Sequence, residues 1–350
     1  MNSIQPTSIA QLATPAHQIA PSHGIARRLL LSAAVGASLM GLMPASQAQS
    51  FPSKTVKIIV PYAPGGGLDV MARLLAERLQ RKWNQPVVVE NKTGASTIIG
   101  TQAVTKAAPD GHTLLLTSEA TITSNPYLFD KLPYDPFKDL AAITQVLSLP
   151  QMVVANPGIN VQNIADLVKL SKIQPKSVNY ASYGSGSLPH LFFEGLNIRS
   201  GTDLVQVPYK GISPAVMAVL ANEVQLTLAG ASAAQAHLAA GKLKALAVAG
   251  PARLSEFPQV PTLREAGLAD IDPRESWFGL FGTAGTPDAV IQKIQKDVAE
   301  IGTSPEFIKA HIAPRGFTPI FSTPAAFTQF IQEDAQHKAR LIRLTGAKAD

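Results

Sequence analysis

The sequence predicts an α/β fold of two lobes with a ligand cleft between them, and three observations predict it. Short apolar runs, such as 56–60 and 113–117, alternate with stretches of helical periodicity. The connections are short and rich in Gly, Pro, Ser and Asn. A pattern of strand, small-residue loop and helix occurs at 56–82 and again at 178–196. Such alternation predicts parallel sheets. Right-handed crossovers bring the loops to the carboxyl ends of the strands, so one loop set per lobe faces the other across the cleft. With 350 residues the chain is long enough for two lobes.

The first 48 residues read as a secretory signal, not as fold. Residues 1–26 carry no Lys, Arg, Asp or Glu. Arg27 and Arg28 precede an apolar run from Leu29 to Met43, and Pro44-Ala45-Ser46-Gln47-Ala48 follows with small residues at Ser46 and Ala48. This order predicts cleavage after Ala48. The run is too short and too rich in small residues to make a good membrane span. The paired arginines leave both the general and the twin-arginine export routes open.

Val56 to Val60 reads as a buried strand, and the glycine loop after it leads into a helix over 68–82, where Val70, Met71, Leu74, Leu75 and Leu79 share one face. A strand over 85–90, a small-residue loop over 91–97 and a helix over 98–107 follow. The turn 109–112 introduces a third strand, 113–117, and Ser118 stands at its carboxyl end, where α/β sheets present ligands. The proline-rich stretches 125–129 and 132–136 are expected as an ordered surface connection. The extended apolar stretch 143–155 is expected to cross between lobes, before a helix over 164–170. The second series reads as strand 178–181, loop 182–190, helix to 196, strand 204–207, helix 214–220, strand 224–228, helix 233–240 and strand 243–248. A strand at 277–281 and helices over 288–302, 305–312 and 324–345 end the chain. The expected organisation is 1–48 removed, 49–150 plus 277–350 as the first lobe, and 151–276 as the second.

Composition excludes several functions. There is no cysteine, so neither disulfides nor thiol chemistry contribute. The histidines are scattered, without the spacing of a metal site. The formal charge is +6; residues 1–48 hold two positive charges and no acid, which leaves +4 without a basic stripe, so nucleic acid is not expected as a partner.

The loop Ala63-Pro64-Gly65-Gly66-Gly67 is neither a Walker A motif nor G-x-G-x-x-G. It is either a tight βα connection or a nest for phosphate or carboxylate, made from glycine backbone and a helix start. Asp69 reads as a structural first-turn acid, and Trp277 as core rather than ligand wall. The counterpart loop, Ser182-Tyr183-Gly184-Ser185-Gly186-Ser187, lacks the G-x-S-x-G spacing of a hydrolase elbow and a matching base and acid. Its serines suit donation to a carboxylate better than nucleophilic attack. His190 either meets a ligand anion or caps and packs beside the helix start. Tyr209 and Lys210 either reach the cleft or stay half-buried and solvated. No catalytic residue, metal ligand or cofactor is assigned.

Several ordered motifs then carry a resemblance. They include Tyr62-Ala63-Pro64-Gly65-Gly66-Gly67-Leu68-Asp69, Val88-Val89-Glu90-Asn91-Lys92-Thr93-Gly94-Ala95, Ala107-Ala108-Pro109-Asp110-Gly111-His112-Thr113-Leu114 and Leu132-Pro133-Tyr134-Asp135-Pro136. Tyr183-Gly184-Ser185-Gly186-Ser187, Val207-Pro208-Tyr209-Lys210-Gly211, Gly241 to Val248, Val260-Pro261-Thr262 and Ser276-Trp277-Phe278-Gly279 continue the order. The chain resembles the Bug receptors, the TctC-type substrate-binding proteins of tripartite tricarboxylate transporters, over essentially its whole mature length. The resemblance implies a periplasmic binding protein of type II-like fold, hinged by two crossing strands and serving membrane subunits of a transporter. It implies that a small organic carboxylate is gripped by Ala63, Pro64, Gly65, Gly66 and Gly67, by Ser118, and by Ser182, Gly184, Ser185, Gly186, Ser187 and His190, with Tyr209 as an addition. A monomer is expected. A receptor presenting its ligand to a sensor kinase, or an exported hydrolase using Ser185 or Ser187, are the alternatives. Ser96-Thr97 stands where many relatives have glycines, and 224–230 lacks the acids common after that strand, so the identity of the carboxylate stays open.

Overall fold

The computed structural model describes residues 51–349 apart from Lys210; the signal segment expected at 1–48 lies outside the described residues. The first sheet takes β1 (Val56–Val60), β2 (Val87–Asn91), β3 (Thr113–Ser118) and β4 (Leu140–Leu149). The chain then builds a second sheet from β5 (Gln151–Ala155), β6 (Asn179–Ser182), β7 (Val205–Pro208), β8 (Leu226–Gly230) and β9 (Lys244–Ala249). It returns to the first sheet with β10 (Ser276–Thr283) and β11 (Thr318–Pro319). The orders are β11-β4-β10-β3-β1-β2 and β7-β6-β8-β5-β9.

The sheets are mixed, which corrects the expectation of parallel sheets. β1 pairs in parallel with β2 and β3, but β10 runs antiparallel to both β3 and β4. In the second sheet β6 is parallel to β7 and β8, whereas β5 is antiparallel to β8 and β9. The cause is the crossing. A strand that leaves a sheet and one that returns to it must run in opposite senses. The outward crossing is nearly one extended run, β4 to β5, broken only at Pro150, which has no N–H to offer a ladder.

Helices cover the sheets as the periodicity predicts. In α1 (Gly67–Trp83), Leu68, Met71, Leu75 and Leu79 are buried against the first sheet. Between β2 and β3 lies α2 (Ile98–Thr105). The second sheet carries α3 (Ile164–Ile173), α4 (Leu188–Ser200), α5 (Ile212–Leu220) and α6 (Ala231–Ala239). Ile291, Ile294 and Val298 of α7 (Asp288–Gly302) join the core of the first sheet. The expected helix over 305–312 is α-helical only at Pro305–Phe307 and widens into a π turn over Ile308–Ile312.

The stretch 125–136 is a surface connection only in part: Tyr127, Asp130, Lys131 and Pro133 are exposed, but other residues turn inward. Asn125, Leu128 and Tyr134 are buried. A π-helical turn, Ala120–Ser124, packs the chain back onto the first sheet. Polar side chains tie it down: Tyr134 donates its hydroxyl to the Thr121 carbonyl (2.8 Å), and Asn125, just after the turn, donates to the Ser96 carbonyl (2.8 Å). Threonine and asparagine look like loop residues in sequence, yet here they satisfy one another in the interior.

The last helix, α8 (Pro324–Thr345), starts at Thr323, whose hydroxyl caps Ala326 N–H, and stops at left-handed Gly346. It spans both halves. Phe327 and Ile331 pack beside Trp277 and Phe281, while Leu341 belongs to the core of the second sheet. Phe327 is fully buried, with its ring centroid 5.5 Å from Trp277 and 5.2 Å from Phe281. Phe327→Ala should therefore destabilise the fold by about 3–5 kcal/mol, read as a lower midpoint in urea unfolding; an unchanged midpoint would show that this cluster is not structural.

Candidate functional site

Two loops of the same construction emerge at the carboxyl ends of parallel strands. The first, 63–67, is exposed and follows β1. Gly66 precedes α1 with no side-chain cap, so the first-turn N–H groups remain open. Asp69 shapes the loop from beneath: its Oδ2 accepts from Gly65 N–H (2.8 Å) and Arg73 Nε (3.1 Å), and its Oδ1 accepts from Asn91 Nδ2 (2.9 Å). Burial alone would raise the Asp69 carboxyl, but these donors and the Arg73 charge together hold it below its ordinary value. Asp69 is thus the structural acid expected.

The second loop, 182–187, follows β6 and starts α4, again with no side-chain cap from Ser187. Ser187 instead donates its hydroxyl to the Gly184 carbonyl (2.6 Å). Ser182 Oγ accepts from Gln206 (2.7 Å). His190 Nδ1 accepts the Gly186 N–H (2.9 Å), so Nε2 carries the proton of the neutral ring. Burial holds this imidazole below its ordinary value, opposed in part by Glu194. Of the two roles left open for His190, the described contact is that of a loop cap. Ser185 is exposed. Ser187 Oγ and His190 Nδ1 are both engaged by the loop backbone, which is not the arrangement of an activated nucleophile.

Ser118 is the third predicted group, buried at the end of β3, where its Oγ shares a hydrogen bond with the Tyr62 hydroxyl (2.8 Å). Burial, with the Glu119 charge adding to it, pushes the Tyr62 phenol up to about 12. Glu119 accepts from Ser276 Oγ (2.7 Å) and from Trp277 N–H (3.3 Å). Burial raises the Glu119 carboxyl, with Lys338 and Ser276 opposing. The same carboxylate adds to burial in raising the Tyr183 phenol, so the carboxyl end of β3 and the second loop lie within electrostatic reach of each other.

The loop is also in direct contact with the first half of the chain. Gly186 has φ +72°, and a Cβ there would strike the Leu128 side chain. Tyr209 stands apart: its N–H bonds the Ser182 carbonyl (2.8 Å), but its hydroxyl turns to Glu223 (3.5 Å). Lys210 lies outside the described residues. Beside the first loop, Ala95, Ser96 and Thr97 all take positive φ, at 45°, 49° and 78°. Three left-handed non-glycine residues in a row cost about 1–2 kcal/mol each, and the hydrogen bond from Asn125 to Ser96 helps hold them.

Nothing in the sequence marks Glu119 and Tyr183 as neighbours. Their only signal is position, next to Ser118 and inside the second loop. Among the described residues no cluster of three His, Cys, Asp or Glu is arranged to hold a metal ion.

Known proteins resemble the chain over most of its length. Residues 71–347 match the TctC family, described as the tripartite tricarboxylate transporter family receptor. Protein BugT of Bordetella pertussis is 35% identical over 322 residues, covering 92% of this chain and 98% of its own. Rpa4515 of R. palustris, solved with adipate, superposes with a TM-score of 0.74 at 26% identity, covering 85% of this chain and 99% of that one. MatC of Rhodopseudomonas palustris, with bound malate, gives a TM-score of 0.71 at 29% identity, covering 83% and 100%.

Two expectations test the site's construction. Gly186→Ala should cost about 1–3 kcal/mol through overpacking, and Leu128→Ala added to it should recover part of that cost; strictly additive losses in a double-mutant cycle would separate the two residues. For Asp69→Asn, the native carboxyl lies below 3.8, so its stabilisation is complete above that value and fades as pH falls through the native pKa. The stability gap to the parent protein should then be flat above about pH 5 and close only in acid.

Proposed function

The chain belongs to the TctC family, the receptors of tripartite tricarboxylate transporters, and from that premise we propose that it captures a small carboxylate between its lobes and delivers it to the membrane subunits of such a transporter. The observation that carries this reading is the pair of helix starts, at Gly66 and Ser187, both without side-chain caps and both behind small-residue loops. An uncapped helix start offers N–H groups and a positive dipole end, the chemistry a carboxylate seeks. The dicarboxylates on Rpa4515 and MatC support the same ligand class.

In this reading 49–150 with 277–350 form one lobe and 151–276 the other, closing about the two crossings. Ala63, Pro64, Gly65, Gly66 and Gly67 meet the carboxylate from one side, with Ser118. Ser182, Gly184, Ser185, Gly186 and Ser187 meet it from the other, with His190 and Tyr209 at their flank. Micromolar capture needs about −8 kcal/mol. Several charge-assisted hydrogen bonds of about 1.5–3 kcal/mol each supply this after ordering costs. Contact with both lobes makes the ligand select the closed form. No bond in the ligand is made or broken, and no cofactor is needed. A signal cleaved after Ala48 places the receptor, a monomer, in the periplasm.

A thermal-shift screen of residues 49–350 against mono-, di- and tricarboxylates, aromatic acids and amines tests the proposal. A fitting carboxylate at one hundred times its Kd should stabilise the protein by about 2.7 kcal/mol, while amines should do nothing at the cleft. A flat response to every acid from folded, ligand-free protein would overturn it.

A further inference from the structure

We infer that the protein carries a second small-molecule site, beside its two crossings, that takes an α-amino acid with an apolar side chain. A cavity of about 450 Å³ lies where β4, the return crossing and α8 meet. That is within the range of small-ligand pockets. Gln145 and Ser148 of β4, Gly250 at the end of β9, and Arg274 and Glu275 just before β10 all border it. No residue of the two cleft loops does.

Its chemistry is two-sided. Asp334 of α8 is 1% exposed and lines the cavity. Its Oδ2 accepts from Thr123 Oγ1 (2.7 Å) and Trp277 Nε1 (3.1 Å), whereas its Oδ1 has no partner. A buried carboxylate oxygen left without a donor is costly, so the site asks for a cationic N–H group. Asp272 and Glu275 line the same cavity, and burial raises both carboxyls. Arg264, Arg274 and Arg340 border it too; among the described residues none forms an ion pair within 4 Å, although the Arg274 charge acts on Asp272. They ask for an anion. Trp277, Ile320 and Phe330 supply an apolar wall. An amino acid meets all three demands at once: ammonium to Asp334, carboxylate to the arginines, side chain to the wall. A bare metal ion meets only the first.

The site has a route to the cleft. Trp277 donates its indole N–H to Asp334 and its backbone N–H to Glu119, the neighbour of Ser118. An amino acid held on Asp334 and on both crossings therefore biases the closure proposed above. That coupling, unlike the site itself, rests on the carboxylate-receptor reading.

Titration of residues 49–350 with phenylalanine, followed by calorimetry and tryptophan fluorescence, tests the site. Phenylalanine should saturate one site, with 3-phenylpropionate and phenethylamine at least about tenfold weaker, a loss of about 1.4 kcal/mol each. Gly66→Leu, which obstructs the first cleft loop at ordinary φ, should leave this binding intact. Arg340→Ala and Asp334→Asn should each weaken it about tenfold, and exposed Arg340 keeps the test valid if the Asp334 variant does not fold. No response from folded protein overturns the inference. So does binding lost in Gly66→Leu but kept in Arg340→Ala, which would put phenylalanine in the cleft. Either failure leaves the carboxylate screen, and the reading it tests, standing on its own result.

Discussion

Trp277 is the residue on which the polar interior depends. It is the second residue of β10, the strand that joins β3 to β4, and it donates both of its N–H groups to buried carboxylates, Glu119 and Asp334. Its ring is 1% exposed and packs edge-on against Phe327 and Phe330. Two acids buried this deeply require such donors. Ser276 assists on Glu119 and Thr123 on Asp334. Lys338, fully buried and hydrogen-bonded to the Pro273 carbonyl, lowers the electrostatic cost for Glu119. The end of β3, the start of β10 and the last helix are thereby parts of one polar cluster inside an apolar shell.

Around that cluster the two small-residue loops spend side chains on themselves. Asp69 holds the first loop and His190 the second, each four residues beyond the glycine it fixes. What is left facing outward includes the uncapped helix starts and the exposed Ser185. In the function proposed above, such a surface takes a carboxylate by shape and charge without committing to the rest of the molecule; the similar proteins Rpa4515 and MatC are seen with adipate and with malate. The left-handed run Ala95-Ser96-Thr97 shows strain accepted beside the first loop.

Most of the fold was legible because β–α alternation is a local property. The buried face of α1 follows from Leu68, Met71, Leu75 and Leu79 alone. The two glycine loops could be paired by eye because each interrupts a strand–helix unit at the same point. The sense of β5 and β10 was not legible, since their antiparallel pairing comes from the chain's path between sheets and leaves no trace in their own residues. The same holds for 120–134, where threonines that read as loop are buried in mutual hydrogen bonds, and for Glu119, whose environment is made by residues 276, 277 and 338. In the candidate site, the residue types suggested an anion; which groups the fold brings together there is a long-range fact.

The strand order also governs when the molecule can assemble. The second sheet uses one uninterrupted stretch, from Gln151 to Ala249, whereas β10 must enter the first sheet between β3 and β4. Until residues near 276 have emerged, both of those strands have an unfilled edge, and closing the gap joins contacts far apart in sequence, the slow step in such topologies. A chain emerging from its amino end thus completes the strands of the second sheet before it can close the sheet it began. The half that is translated earliest is the one kept waiting.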